Sequence, residues 1–425
     1  MNEENLDVLF VYGDREHGTN FGYLTGFEPR FEEAVLVLHS HGGTYLLLGN
    51  ESLRMKQYSR IDAEAIHVPY FSLPNQPMQT DKTFAELIEP AGIKEGMHVG
   101  IAGWKMFTSN NEDNTQLFDT PYFIVNAVKE LVSHTGSVIN ATSLFIHPGD
   151  GARTIMNANE IAHYEFGASL ASSRILRMLD KVEPGITELE LADELAAYGQ
   201  PTNVQTICAA GDRFTNAVVA PRAKKVEIGD KFSATLGYRG GLTNRSAYIV
   251  SSAEELPADV SDYIDAVAKP YYAASAAWYE NVKIGMSGGE LYEIIESVLP
   301  QSEYGWKLNP GHLTAGEEWM SSPIYPNSKI KLSSGMIFQV DIIPSISGYG
   351  GANAEDGIAL ADEELRAELA EYYPELWKRF QTRRHYMSQT LGIQLHPEVL
   401  PMSTMNGYFR PYLLKKNFAF TLSHP

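Results

Sequence analysis

"GDKFSATLGYRGGLTNRS", residues 229–246, predicts two β-strands joined by a tight glycine turn. The interior of this stretch carries small or neutral polar side chains, among them Thr235 and Asn244. No Asp or Glu occurs between Asp230 and Glu254, so no shift of register within the hairpin would supply a carboxylate. Any chemical site that uses these two strands must therefore take its acidic groups from elsewhere in the chain.

The bulk composition excludes several classes of protein. The chain has 425 residues, of which 44% are hydrophobic and 20% charged, as in ordinary globular proteins. Its formal net charge of −20, without any run of Lys and Arg, argues against nucleic-acid binding. The N-terminus lacks the pattern of a signal peptide, and no stretch of about 18 apolar residues could span a bilayer. We therefore expect a cytoplasmic protein without membrane association.

The single cysteine, Cys208, excludes an internal disulfide and fits a reducing compartment. Its neighbours are Thr-Ile on one side and Ala-Ala on the other. This setting predicts a small buried side chain rather than a nucleophile.

The first part of the chain alternates strand-like and helical segments. The stretch "LDVLFVYG" predicts a buried strand, "AVLVL" and "TYLLL" predict a hairpin around "HSHGG", and "MHVGIAG" predicts another strand. This pattern is typical of a small α/β domain, which we place at residues 1–145. The Pro/Gly/Asp-containing stretch 140–154 is interpreted as a linker.

The second part, residues 150–425, mixes helices with strand pairs. Helices should begin at Asn157 with Glu160 and at Thr187 with Glu190, because both pairs have the spacing of a capping box. Later strands are predicted at "ICAAG", "KFSATLG", "AYIVS", "GMIFQVDIIPS" and "EDGIALA". The pattern indicates an α+β domain in which helices cover a curved, mostly antiparallel sheet.

A series of motifs resembles one known family. In order they are "NFGYLTGFEPR", "VEPGITELELADEL", "ICAAGDRF", the 229–246 hairpin, "NPGHLTAGEEWMSSP", "SSGMIFQVDIIPS" and "NAEDGIALAD". Together they resemble the pita-bread family of creatinase, aminopeptidase P and prolidase. The resemblance implies a C-terminal pita-bread domain preceded by a smaller creatinase-like α/β domain. The chain after about residue 362 runs past the usual end of the family as an extended tail of undetermined role.

The resemblance also implies a set of site residues. Family peptidases hold two divalent ions with two Asp, one His and two Glu. Carried over, the two Asp fall on Thr235 and Asn244, the His on His312, and the two Glu on Asp341 and Glu355. With only two carboxylates left, two dications would keep about two units of uncompensated positive charge in a partly desolvated site. The metal site is therefore predicted to be degenerate, and no cofactor is expected, although a single divalent metal on His312, Asp341 and Glu355 is an alternative.

Two further family histidines are absent. The one that precedes the "GD" strand, which creatinase uses as a proton shuttle, falls on Val218. The one that follows the ligand histidine falls within "EEWMSSP". The chain thus matches neither the peptidase pattern nor the creatinase pattern.

Three residues are predicted to be catalytic: His312, which could transfer protons near neutral pH, with Asp341 and Glu355. Of Glu355 and its neighbour Asp356, one is expected to face the pocket and the other solvent. Four residues are predicted to bind substrate: Arg30, Thr235, Asn244 and Arg245. For Arg30, local pairing with Glu32 or Glu33 is an equal alternative, and for His312 a purely structural role is the alternative.

Three functions follow from this pattern. The first is a hydrolase that cleaves a C–N bond of a small polar molecule without a dinuclear metal centre. The second is an Xaa-Pro aminopeptidase or dipeptidase with a single metal, and the third is a non-catalytic protein that binds a small ligand. The family resemblance further implies a homodimer, in which Arg30 would reach the partner subunit's site.

Overall fold

The computed structural model describes residues 1–29, 31–76, 78–216 and 218–423. The chain divides into two compact units, Met1–Ala152 and Arg153–Pro425. In the described part of the chain, every helix is too short or too polar to cross a membrane.

The first unit is built on a six-stranded mixed sheet. Its strands are β1 Val8–Gly13, β2 Ala34–His39, β3 Thr44–Leu48, β4 Glu64–His67, β5 His98–Ala102 and β6 Ser137–Asn140. They lie in the order β4-β3-β2-β1-β5-β6. The β1–β2 and β2–β3 pairs are antiparallel, and the pairs on either side of them are parallel. The predicted hairpin at "HSHGG" is confirmed as the β2–β3 connection.

Short helices complete this unit. The α-helices are α1 Thr19–Thr25, α2 Phe84–Ile88, α3 Tyr122–Val132 and α4 Ser143–Ile146, and the 3₁₀ helices are Leu53–Tyr58, Pro69–Phe71, Glu89–Ala91, Asn114–Gln116 and Ser133–Thr135. The apolar face of α3 joins side chains of β1, β2 and β5 in one buried cluster. This packing buries one face of the central strand β1, the face that carries Val8, Phe10 and Tyr12.

The described residues of the second unit form eight α-helices. They are α5 Ala158–Lys181, α6 Glu188–Ala192, α7 Asp212–Thr215, α8 Lys269–Asn281, α9 Gly288–Val298, α10 Gln301–Tyr304, α11 Glu363–Tyr372 and α12 Pro374–Tyr386, with 3₁₀ helices at Ala253–Glu255 and Ala258–Val260 and π-helical turns at Ile264–Ala268 and Met387–Leu391. Both predicted capping boxes are confirmed, at Asn157 with Glu160 and at Thr187 with Glu190.

The strands of the second unit form two four-stranded antiparallel sheets. They are β7 Ile207–Ala210, β8 Lys231–Tyr238, β9 Gly241–Tyr248, β10 His312–Leu313, β11 Ile337–Gln339, β12 Asn353–Glu355, β13 Gly357–Leu360 and β14 Val399–Pro401. One sheet has the order β12-β9-β8-β7, and the other has the order β10-β11-β13-β14. This arrangement confirms the predicted α+β class with antiparallel pairing.

The 229–246 hairpin is the β8–β9 pair, and its turn is fixed by close packing on α5. Thr235 pairs with Asn244 in this register. Gly240 in the turn has φ +100°, and a Cβ there would lie 2.2 Å from the carbonyl oxygen of Tyr164. Only glycine fits, because the conformation is left-handed and the helix backbone occupies the space of a side chain.

The segment after residue 362 is an integral part of the second unit. Strand β14 pairs with β13, and α12 places Arg379 and Arg383 against the buried carboxylate of Glu165 on α5. The expected tail is therefore a pair of helices and an edge strand that complete the fold.

Candidate functional site

The two sheets of the second unit bring the predicted site residues together. On one sheet, Thr235, Asn244 and Glu355 lie side by side across β8, β9 and β12. On the other, His312 pairs with Gln339, and Asp341 follows two residues later. Gln339 joins the sheets, because its side-chain amide donates to the carbonyl oxygen of Leu242 at 2.8 Å and to Glu355 Oε1 at 3.4 Å.

His312 lies at the centre of a buried acidic cluster. Its Nε2 atom is 3.0 Å from Glu318 Oε1 and 3.9 Å from Glu355 Oε1. Among the described residues Nε2 has no partner aligned for a hydrogen bond, while Nδ1 is 3.2 Å from the carbonyl oxygen of Leu313. The imidazole is fully buried, so its polar edge is directed at carboxylates rather than at solvent.

The indole of Trp319 covers one face of this imidazole. The ring centroids are 4.0 Å apart and the planes differ by 21°, which is a stacked arrangement. The stacking fixes the plane of the imidazole and thereby the direction of Nε2. Trp319 occupies the stretch in which the resemblance led us to look for a second histidine.

Burial and neighbouring charges shift the pKa values of Asp341, Glu355 and His312. Burial raises the pKa of Asp341 to about 6, with the charge of His312 lowering it and that of Glu318 raising it. Burial, followed by the charges of Asp341 and Glu318, holds the pKa of Glu355 well above its ordinary value. Burial alone would lower the pKa of His312, but the carboxylates of Glu318 and Asp341 raise it overall. Asp341 and Glu355 are therefore harder to ionise than ordinary carboxyls, and His312 is easier to protonate than an ordinary imidazole.

The two positions that the family resemblance assigns to aspartates belong to a neutral hydrogen-bonded network. The side-chain amide of Asn244 donates to Thr235 Oγ1 at 2.5 Å and to Ser233 Oγ at 3.2 Å. Ser246 Oγ lies 3.0 Å from Asn244 Oδ1 and 2.7 Å from Ser233 Oγ. These side chains satisfy one another without any charged group.

This network does not fit the dinuclear metal centre that the family resemblance implies. The amide nitrogen of Asn244 points at Thr235 and cannot bind a cation, and Thr235 offers only a neutral hydroxyl. Two divalent ions need bridging carboxylates, which this sheet supplies only through Glu355.

Arg245 lies inside the fold rather than at an open binding surface. Its Nη2 donates to Asp356 Oδ2 at 2.6 Å and to the carbonyl oxygen of Met405 at 2.7 Å, and its Nη1 donates to the carbonyl oxygens of Asn244 and Glu355. Both Nη atoms therefore already have hydrogen-bond partners inside the fold, which argues against the predicted role of Arg245 in binding substrate.

The expectation that Glu355 or Asp356 faces solvent is wrong. Both side chains are buried, because Asp356 is held by Arg245 on one side and accepts a hydrogen bond from Ser403 Oγ at 2.5 Å on the other. The ion pair with Arg245 offsets part of the free-energy cost of burying the carboxylate of Asp356.

The remaining candidates lie apart from this cluster or outside the described residues. Arg30 is one of the residues that the structure does not describe. Val218 is 44% exposed. Cys208 is buried as predicted, and burial, followed by the charge of Glu188, raises the pKa of its thiol to about 12. A thiol so hard to ionise is a poor nucleophile at neutral pH.

Sequence reasoning missed Glu318 and Trp319. The chain reverses direction after β10, and Leu313 pairs with Ser321 on the return. This reversal brings Glu318 and Trp319 back over His312. Gly316 in "HLTAGEEWMSS" was the available signal for the turn.

Comparison with known proteins agrees with this architecture. The model of metallopeptidase family M24 matches residues 167–362. The "Uncharacterized peptidase YqhT" of Bacillus subtilis (strain 168) is 23% identical over 358 residues, which cover 82% of this chain and 90% of the relative.

Two solved structures show the same fold. The prolidase from Pyrococcus furiosus superposes with a TM-score of 0.64 at 19% identity, covering 85% of this chain and 96% of the other. The Xaa-Pro dipeptidase from Bacillus anthracis superposes with a TM-score of 0.62 at 18% identity, covering 85% and 92%. Residues 167–362 are therefore similar to the peptidase domain of metallopeptidase family M24, and the chain has the same fold as these prolidases.

Proposed function

We propose that the protein hydrolyses a peptide-type C–N bond of a small polar substrate without a dinuclear metal centre. The supporting observation is the contrast between the two halves of the cluster. On the β8–β9 hairpin, Asn244 belongs to a neutral hydrogen-bonded network. On the opposite side of the cluster, the buried His312 is surrounded by the carboxyl groups of Glu318, Asp341 and Glu355. Acid–base groups have been retained where two-metal chemistry has been lost.

In this proposal His312 is the proton carrier. A water oxygen bonds to the carbonyl carbon while one of the water's protons passes to Nε2 of His312. The C–N bond then breaks and the same proton moves to the departing nitrogen, leaving a carboxylic acid and an amine. Glu318 and Glu355 stabilise the imidazolium that forms in between, because both lie within 4 Å of Nε2.

The printed names of the relatives direct the choice of substrate. Prolidases and Xaa-Pro dipeptidases are among the proteins with this fold, so Xaa-Pro dipeptides are the first substrates to examine. Other small amides and amidines form the second group. We propose a role for Thr235 and Asn244 in contacting the substrate through the hydroxyl groups and amide of their network.

Replacement of His312 by Ala tests the proposal. We expect turnover of whichever substrate is found to fall by about 10²–10⁴-fold, because general acid–base help is lost. The midpoint of thermal unfolding should stay nearly unchanged. His41→Ala is the matched control, because His41 is exposed in the first unit.

Two results would contradict this assignment. A His312→Ala protein that melts several degrees lower and keeps its specific activity would make His312 structural. Absence of turnover on the whole panel, together with tight binding of one of its members, would favour the non-catalytic ligand-binding protein instead.

A further inference from the structure

We infer that Trp319 is a movable cover over His312, and that its indole must rotate away before a substrate reaches the imidazole. The inference deepens the proposed function and rests on it for the assignment of His312 as the group that the substrate must reach. What it adds is the step that controls access to the site.

The site is closed to solvent in this structure. His312, Asp341 and Glu355 are 0%, 5% and 6% exposed. The Nε2 atom of His312 is buried with the rest of the ring, and this is the atom that takes the proton in the proposed reaction. A water molecule and a substrate therefore have to enter past the residues that cover the imidazole.

Trp319 lies between the imidazole and the surface. One face of its indole stacks on His312 with a centroid distance of 4.0 Å, yet the residue is 37% exposed. Side chains with this degree of exposure change rotamer rapidly, because few neighbours confine them. Rotation of the indole into solvent would uncover the face of the imidazole on which it now stacks.

The segment that carries Trp319 is hydrogen-bonded at its base but not at its tip. At the base, the N–H of Leu313 donates to the carbonyl oxygen of Ser321 at 2.7 Å, and the N–H of Met320 donates to that of Leu313 at 2.9 Å. In the described part of the chain, the backbone groups of Glu318 and Trp319 form no hydrogen bond with other backbone groups. Segments with few such bonds open locally at low free-energy cost.

An ion pair limits how much of the segment moves. Arg153 Nη1 donates to Glu317 Oε1 at 2.8 Å, and the Arg153 side chain is buried. Glu317 is thereby held next to the tip. The moving part is then the two residues Glu318 and Trp319.

The other residues around the imidazole lie on paired strands. Glu355 belongs to β12, which pairs with β9, and His312 itself pairs with Gln339. Displacing either strand would break several hydrogen bonds of a sheet at once. The tip is therefore the element whose movement costs least.

The test measures how fast a small reagent reaches each histidine of the full chain. Diethyl pyrocarbonate modifies unprotonated imidazole nitrogens, and mass spectrometry of peptides gives the rate at each site. The exposed His41 is the internal reference. At one fixed pH, we expect Trp319→Ala to raise the rate at His312 by about 10-fold or more, because the opening step is no longer needed, with the rate at His41 unchanged.

Matched variants refine this measurement. Trp319→Phe keeps a smaller ring and should give an intermediate rate at His312. Tyr372→Ala removes an exposed aromatic side chain on α11 and should leave that rate unchanged. Circular dichroism verifies that each variant folds, and Trp319→Leu replaces Trp319→Ala if the latter does not.

A second measurement on the wild type separates movement of the tip from global unfolding. Opening of two residues exposes little surface, so the rate at His312 should not change with low concentrations of urea. A rate that rises with urea in parallel with global unfolding would show a fixed cover and overturn the inference. An unchanged rate at His312 in the folded Trp319→Ala protein would also overturn it.

The labelling requires no substrate, so its outcome is distinct from that of the proposed function. A raised rate at His312 together with absence of turnover on the whole panel would leave the movable cover standing and the hydrolysis refuted. Turnover together with unchanged labelling would retain the hydrolysis and refute the cover.

Discussion

At the scale of single residues, the two positions that the family resemblance assigns to aspartates carry a neutral hydrogen-bonded pair. Asn244 and Thr235 occupy facing positions on β8 and β9, and each satisfies the other. The same hairpin with carboxylates at these positions would repel itself in the absence of cations. We therefore expect the hairpin with its neutral pair to fold without metal.

Restoring both carboxylates tests this view. We expect the double variant Thr235→Asp with Asn244→Asp to bind one more equivalent of Mn²⁺ than the wild type. Without metal it should melt at a lower temperature, because two like charges are buried together, and Mn²⁺ should raise its melting temperature. The single variants are the controls. Unchanged metal content in the folded double variant would show that these positions are not those of the family's aspartates.

Arg245 is the second residue whose role becomes clear at this scale. It holds Asp356 directly beside Glu355, and both partners are buried. Arg245→Met should lower the free energy of unfolding by about 3–5 kcal/mol, because it leaves a buried carboxylate unpaired. Denaturant unfolding measures this loss. Replacing Arg245 together with Asp356→Asn should recover part of it, and a fully stable single variant would contradict the structural role.

At the scale of elements, helix α12 contacts α5 through ion pairs with the buried carboxylate of Glu165. Glu165 accepts hydrogen bonds from Arg379 at 2.9 and 2.6 Å and lies 2.7 Å from Arg383. Burial alone would raise the pKa of Glu165, but Arg379, Arg383 and Ser169 more than offset it and lower the pKa below 4.5. The contact between α5 and α12 is thus stabilised by the ionised form of Glu165.

The lowered pKa fixes the sign of a pH dependence. A carboxyl whose pKa is lower in the folded state stabilises the fold above its unfolded pKa of about 4.5, and this stabilisation is lost as the pH falls through the folded value. Glu165→Gln should therefore be less stable than the wild type at pH 7, with the difference narrowing below pH 4.5. Denaturant unfolding at several pH values measures it, with Glu371→Gln on the exposed side of α11 as the control. A constant difference across the pH range would exclude this role of the Glu165 charge.

At the scale of the whole molecule, the prediction concerns the oligomeric state. The family resemblance predicts a homodimer, so light scattering should give about twice the chain mass of 47.2 kDa. Measurement over a range of protein concentrations would separate a stable dimer from transient association. A monomer at micromolar concentration would remove Arg30 from any shared site.

Features that depend on neighbouring residues could be predicted from the amino-acid sequence. The β8–β9 hairpin follows from its glycine turn, and the starts of α5 and α6 follow from the capping boxes at Asn157 and Thr187. The absence of acids between Asp230 and Glu254 likewise settled which ligands the hairpin lacks. Each of these signals is complete within a few residues, because turns and helix caps are closed by local hydrogen bonds.

The pairing of distant charges, in contrast, depends on the folded structure. Arg245 and Asp356 are 111 residues apart in sequence, and no local pattern marks them as partners or predicts that both Glu355 and Asp356 are buried. Glu318 reaches His312 because the chain reverses after β10 and the Leu313–Ser321 pairing sets the register of the return. Side-chain contacts between strands depend on this register and on the packing of the two sheets, which are properties of the whole fold rather than of any segment.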